Sequence, residues 1–159
     1  MKGIYTTEAR IYMNTILQRL RIEFPFVGER PAAEQELFDY CERHAVHVRF
    51  DSRVEDGVYI HEPDSGIDLI MLNPKLFGFT LLYVLAHEIG HHLLHVPTLG
   101  PAVEHFDKYR NNRNHSEAEA VAAYLLLPEA EILRLLDAGN ITNGRLADLI
   151  ALRLQLPDY

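Results

Sequence analysis

The sequence predicts an α+β fold, helix-dominated, with a small three-stranded, mainly antiparallel sheet. Three observations carry this. Apolar residues recur at helical spacing over most of the 159 residues. A short stretch between residues 46 and 72 changes to strand-like alternation, and Gly- and Pro-bearing turns separate these segments. At this length one domain can bury enough apolar surface to fold without staples.

Taken in order, residues 6–20 place Ile11, Ile16, Leu17 and Leu20 at helical spacing, with Thr6 or Thr7 as cap. Pro25 and the stretch 28–31 break that helix. Pro31, Glu34 and Glu36 open a second, with Leu37, Phe38 and Cys41 inward, to about His44. Val46, Val48 and Phe50 then alternate with polar residues as a strand would. Asp56-Gly57 signals a turn, 58–61 a second strand, 63–66 another turn and 67–72 a third strand, which Asn73-Pro74 ends. Thr80 caps a third helix that stops at Pro97. Residues 99–114 read as loop, 116–127 as an alanine-rich fourth helix, 129–137 as a fifth closed by Gly139-Asn140, and 143–154 as a sixth. A single domain is expected over 1–159, with an N-terminal helical part to 28, a core over 32–137 and a C-terminal helix over 143–154.

Composition narrows the function. Net charge is −8, from 15 Lys+Arg against 23 Asp+Glu, so direct, phosphate-driven nucleic-acid binding is not expected. The longest apolar run, 120–127, is too short to span a bilayer, and residues 1–7 carry no apolar signal-peptide core. Cys41 is the only cysteine, which excludes an internal disulfide and a Cys-rich metal site and makes a reducing cytoplasm the expected compartment. Six of the nine histidines fall between His87 and His115.

His87-Glu88-Ile89-Gly90-His91 is H-E-x-x-H, a pattern associated with zinc metallopeptidases. Residues i and i+4 share a helix face about 6 Å apart, so both imidazoles can reach one Zn²⁺. Glu88, offset by one residue, points at the reacting water and suits a general base. Leu81, Leu82, Leu85, Ile89 and Leu93 give the helix an apolar face, and two histidines buried there need a purpose. His92 lies about 100° round the helix from His91 and reads as a packing or surface residue. His95 is about 12 Å along from His87, too far to share its ion. His44, His47 and His61 fall outside the cluster. A third ligand must come from elsewhere: His115, Glu117 or Glu119. His115, Ala118 and Ala122 share one helix face, whose small residues allow close approach. Glu117 points about 200° away, as a solvated charge would. Glu119 returns to the ligand face one turn on, where it can hydrogen-bond a ligand. If none of these serves, His105 or Asp107 in the preceding loop remain.

Residues 79–95 (FTLLYVLAHEIGHHLLH) resemble the core of the ImmA/IrrE metallopeptidases, and 70–74 (IMLNP) resemble the strand leading into it. Residues 118–128 (AEAVAAYLLLP) resemble that family's later helix, of the form E-x-x-A-N-x-F-A-x-x-L-L-M-P. The helix and strand at 32–51 also fit, so the resemblance covers about 32–150. It implies a zincin-like fold and a cytoplasmic zinc endopeptidase that makes a limited, specific cut in a helix-turn-helix repressor during stress or within a mobile element. The family's glutamate ligand aligns with His115 and its asparagine with Glu119, so this chain departs from the pattern at the third ligand. The expected site is therefore Zn²⁺ on His87, His91 and His115, with Glu88 catalytic. The strand 67–72 is a candidate edge for pairing an extended peptide. Two other readings compete. A peptide-deformylase-like hydrolase would use Cys41, which sits in a helical rather than a strand setting. A metal-dependent module that sequesters a repressor without cutting it would not need Glu88.

Overall fold

The computed structural model describes residues 6–95, 102–105, 113–139 and 141–159, without the side chains of 95, 102–105 and 113. The described elements run α1 (Thr7–Glu23), α2 (Glu34–Arg43), β1 (Val46–Phe50), β2 (Gly57–Glu62), β3 (Ile67–Leu72), α3 (Gly78–His95), β4 (Ala102–His105), α4 (Arg113–Leu126), α5 (Glu129–Ala138) and α6 (Gly144–Gln155). The helix-dominated α+β class follows as expected. By contacts the chain forms two compact units, 33–122 and 1–32 with 123–159.

In the second of these, Thr6 caps α1, its hydroxyl oxygen accepting from the Ala9 N–H at 3.2 Å. Ile16, Leu17 and Leu20 are buried as their spacing requires, whereas Ile11 faces outward. Asn143 caps α6 by accepting from the N–H groups of Arg145 and Leu146, and Gly139 closes α5 in the left-handed conformation (φ 77°) that glycine tolerates. Tyr124 and Tyr159 tie this unit together. The Tyr159 hydroxyl donates to the Tyr124 carbonyl at 2.6 Å, the Tyr124 hydroxyl donates to the Pro157 carbonyl at 2.9 Å, and the Arg153 guanidinium lies against both rings.

The unit 33–122 holds the sheet and α3. Glu36 folds back to accept from the Ala33 N–H at 2.9 Å and so starts α2. The sheet has four strands in the order β1-β3-β2-β4, not the three expected. The fourth, β4, lies inside the stretch read as loop and pairs antiparallel with β2, His61 facing Ala102 and Val58 facing His105. Four residues are too few to show periodicity, so long-range pairing rather than local propensity makes this strand. β2 and β3 form the expected antiparallel hairpin, Gly57 facing Leu72 and Glu62 facing Ile67.

β1 pairs parallel to β3 in the register Val46–Asp68 to Phe50–Leu72, so the sheet is mixed, with its other pairings antiparallel as expected of a mainly antiparallel sheet. The connection 51–56 is long enough to cross the end of β3, where Asp51 N–H donates to the Leu72 carbonyl and Asn73 N–H to the Asp56 carbonyl. β3 is consequently interior, flanked on both sides, and cannot be the peptide-pairing edge assigned to 67–72. Its burial alternates along the strand: Asp68, Ile70 and Leu72 are buried on one face, while Leu69 and Met71 on the other are half-buried. β1 is an edge strand, and of its alternating residues only Val46 is buried while Phe50 is 54% exposed.

α3 starts at Gly78, two residues before Thr80. Every residue from Tyr83 to His91 is buried, so the helix is enclosed on all sides and not only along its leucine face. Among the described residues no helix is long and apolar enough to cross a membrane.

Candidate metal centre

The i, i+4 spacing on α3 brings His87 and His91 together, their ring centroids 4.9 Å apart and their Nε2 atoms 3.2 Å apart. His115, in the first turn of α4, reaches the same point: its Nδ1 lies 3.1 Å from His87 Nε2. One ligand atom from each of the three lies within 4.8 Å of the other two, and all three residues are buried. Close approach of two helices makes this possible. A Cβ built on Gly90 would lie 2.9 Å from Ala118 Cα and 3.2 Å from its Cβ and carbonyl oxygen. Glycine at 90 and alanine at 118 thus let the α4 backbone touch α3, and His115, on the face shared with Ala118, is carried to the pair.

This donor set fits a zinc ion. Two nitrogens on one zinc at about 2.0–2.1 Å in tetrahedral geometry would be about 3.3 Å apart, close to the 3.1 and 3.2 Å that separate His87 from His115 and His91, while the whole set lies within 4.8 Å. Burying three imidazoles against one another is unfavourable unless something binds them together, and a cation does.

Glu119 and Tyr83 complete one flank. Glu119 Oε1 lies 2.7 Å from His87 Nδ1, and its Oε2 accepts from the Tyr83 hydroxyl at 2.5 Å. A carboxylate this close to Nδ1 favours the tautomer with its proton there, which leaves the Nε2 lone pair for the cluster. Glu119 therefore sits where the helix face put it, beside a candidate ligand. Glu117 does not: it is 6% exposed, not a solvated charge. The reason is that α4 is buried on nearly every side from His115 to Leu126, with Ser116 its exposed position and Asn114 and Glu119 half-buried. Glu117 is not among the three residues that converge.

Glu88 is fully buried within the same helix turn. Gly57, at the start of β2, leaves it room: a Cβ there would meet Val84 Cγ1 at 2.6 Å and Glu88 Cγ at 3.5 Å.

Asp68 organises a second polar cluster beside His91 and His92. Its Oδ1 accepts from the Tyr59 hydroxyl at 2.7 Å and contacts His61 Nδ1 at 2.7 Å, and its Oδ2 lies 3.6 Å from His92 Nε2. His92 Nδ1 in turn is 2.8 Å from the Tyr40 hydroxyl, so His92 is a packing residue, as its place on the helix suggested. The Tyr59 ring runs nearly parallel to that of His91, 9° between planes at 6.5 Å. Burial, then the Asp68 carboxylate, pushes the Tyr59 hydroxyl well above its usual range. Burial likewise pushes the Cys41 thiol up to about 12, which leaves it protonated and inert. Cys41 lies in α2 and outside the converging group, against the deformylase-like arrangement. His44 touches the Tyr40 and His92 rings, and His47 lines an open groove beside α2. The side chains of His95 and His105, and all of Asp107, fall outside the described residues.

Sequence reasoning missed Tyr83 and Asp68, although each left a signal. Tyr83 stands four residues before His87 and so on the same face. Asp68 is the single charge in an otherwise apolar strand, where a carboxylate needs partners.

A family model for the IrrE N-terminal-like domain, Peptidase_M78, matches residues 41–152. No curated protein matches the chain.

Proposed function

The chain belongs to the IrrE N-terminal-like peptidase family, and from that premise we propose that it is a zinc-dependent endopeptidase. Its zinc ligands in this reading are His87, His91 and His115, and Glu88 is its general base. The convergence of three buried imidazoles within 4.8 Å carries the reading. Zinc, when bound, supplies the Lewis acidity that amide hydrolysis needs. The chain's own residues do the rest. Glu88 takes the proton of the attacking water as the new C–O bond forms, and then gives it to the amine nitrogen as the peptide C–N bond breaks. Glu119 holds His87 in the ligating tautomer.

The substrate in this reading is a protein partner, cut once or at few positions, and a helix-turn-helix repressor is the class the family resemblance favours. The acidic composition supports regulation through that partner rather than through DNA contacts. A lone, buried cysteine suits the reducing cytoplasm as the working compartment. Glu88, buried beside the ligand pair, favours hydrolysis over mere sequestration, because a binding module would have no use for a base there.

The test is Glu88→Gln. With a helix-turn-helix protein encoded beside this chain as substrate, zinc-loaded wild type should yield a defined cut by mass spectrometry. The variant should keep its zinc and lose that cut. A variant that cuts at the wild-type rate would remove Glu88 from the chemistry. One that releases the partner's target without any cut, as wild type does, would favour sequestration.

A further inference from the structure

His115 and Glu119 stand one helical turn apart on the same face of α4, and either could ligate a metal held by His87 and His91. In this chain both oxygens of Glu119 are engaged elsewhere. Oε1 is on His87 Nδ1 at 2.7 Å, and Oε2 accepts from the Tyr83 hydroxyl at 2.5 Å. Tyr83 is itself fixed. It is buried on α3, one turn before His87, with its ring stacked on Phe79 at 5.9 Å and 17° between planes. Its hydroxyl therefore reaches Glu119 from a rigid base, whereas Glu119 alone, 19% exposed at its side chain, could rotate toward water.

We propose that Tyr83 is a positioning residue of the metal centre. Acting only through Glu119, it clamps that carboxylate on His87 Nδ1 and keeps it out of the ligand set. Three imidazole ligands bring no charge to offset a divalent cation. The clamped carboxylate supplies one negative charge just beyond the ligands, and a negative charge held against Nδ1 makes the imidazole a better donor to the metal. The inference rests on the zinc site proposed above.

A double-substitution cycle on zinc affinity, measured by chelator competition, tests it. Tyr83→Phe removes only the hydroxyl and keeps the ring against Phe79. Carboxylate partners of ligating histidines typically contribute about ten- to a hundredfold in affinity, so Glu119→Gln should weaken zinc binding by that much. Tyr83→Phe, one bond further out, should weaken it about three- to tenfold in the wild-type background and less than about twofold in the Glu119→Gln background. Equal losses in both backgrounds would show Tyr83 acting independently of Glu119 and overturn the proposal, as would no loss in wild type. A second readout needs no variant to fold. Nitrogen-15 spectra of the wild-type apo protein should find His87 with its proton on Nδ1, and a proton on Nε2 would overturn the clamp. If wild type itself binds no zinc, the functional reading fails first and the clamp with it.

Discussion

Gly90→Ala tests the helix contact on which the metal centre depends. The added Cβ would lie 2.9 Å from Ala118 Cα and 3.2 Å from the Ala118 carbonyl oxygen. Ordinary carbon contacts lie at about 3.5–4.0 Å, and the obstacle is backbone, which cannot swing aside. α4 must withdraw by about half an ångström. Metal sites tolerate ligand displacements of about 0.2 Å, so the withdrawal takes His115 out of range. Two effects on apo stability oppose each other. Alanine is favoured over glycine in a helix interior by about 1 kcal/mol. Overpacking costs about 1–3 kcal/mol. The net expectation is a loss of about 0–2 kcal/mol by urea unfolding, together with at least a tenfold fall in zinc affinity by chelator competition. A variant that binds zinc like wild type and is about 1 kcal/mol more stable would refute the argument, because the contact would then be neither tight nor needed.

Asp68→Ala should strand the buried Tyr59 hydroxyl and the His61 ring at about 1–3 kcal/mol each, for a stability loss of about 2–6 kcal/mol at unchanged m-value. A loss under about 0.5 kcal/mol would mean the cluster is not holding β2 and β3 in place. Cys41 should resist thiol reagents at pH 8 until the protein is unfolded in urea, since its native thiol ionises only near 12. The same shift sets an alkaline limit. The native state keeps the proton, the unfolded thiol gives it up near 8.5, and stability is therefore intact below that pH and lost as pH rises toward 12, by up to about 1.4 kcal/mol per pH unit. Titration of the folded thiol near 8.5 would contradict the burial assigned to it.

Local chemistry explains why most elements were legible. Thr6, Asn143 and Gly139 stop or start helices with their own side chain or φ, and the i, i+4 pair on α3 fixes two imidazoles with no tertiary information. The small face of α4 even carried a tertiary statement, because Ala118 has one plausible use, the contact that Gly90 completes. The sheet order was not legible. Nothing in residues 67–72 says that a second strand lies beyond the β2 hairpin, since that partner, β1, comes from a segment about 20 residues earlier in the chain. Glu117 was misread for a related reason. Helix geometry gives a direction for each side chain but not what stands there, and α4 has almost no solvent side. The Tyr83–Glu119 contact joins residues 36 apart in sequence and needs the helix packing before it can be seen.

X-ray absorption at the zinc edge of the purified, zinc-loaded chain tests the central claim most directly, with elemental analysis giving the stoichiometry. The account predicts one zinc per chain in a four-coordinate shell at about 2.0–2.1 Å, with the multiple-scattering signature of three imidazoles and one further light ligand. His115→Ala should reduce that signature to two imidazoles, and Glu117→Ala should leave it unchanged. A two-imidazole shell completed by a carboxylate in wild type would contradict the three-histidine centre, and full zinc retention in His87→Ala would contradict the site itself.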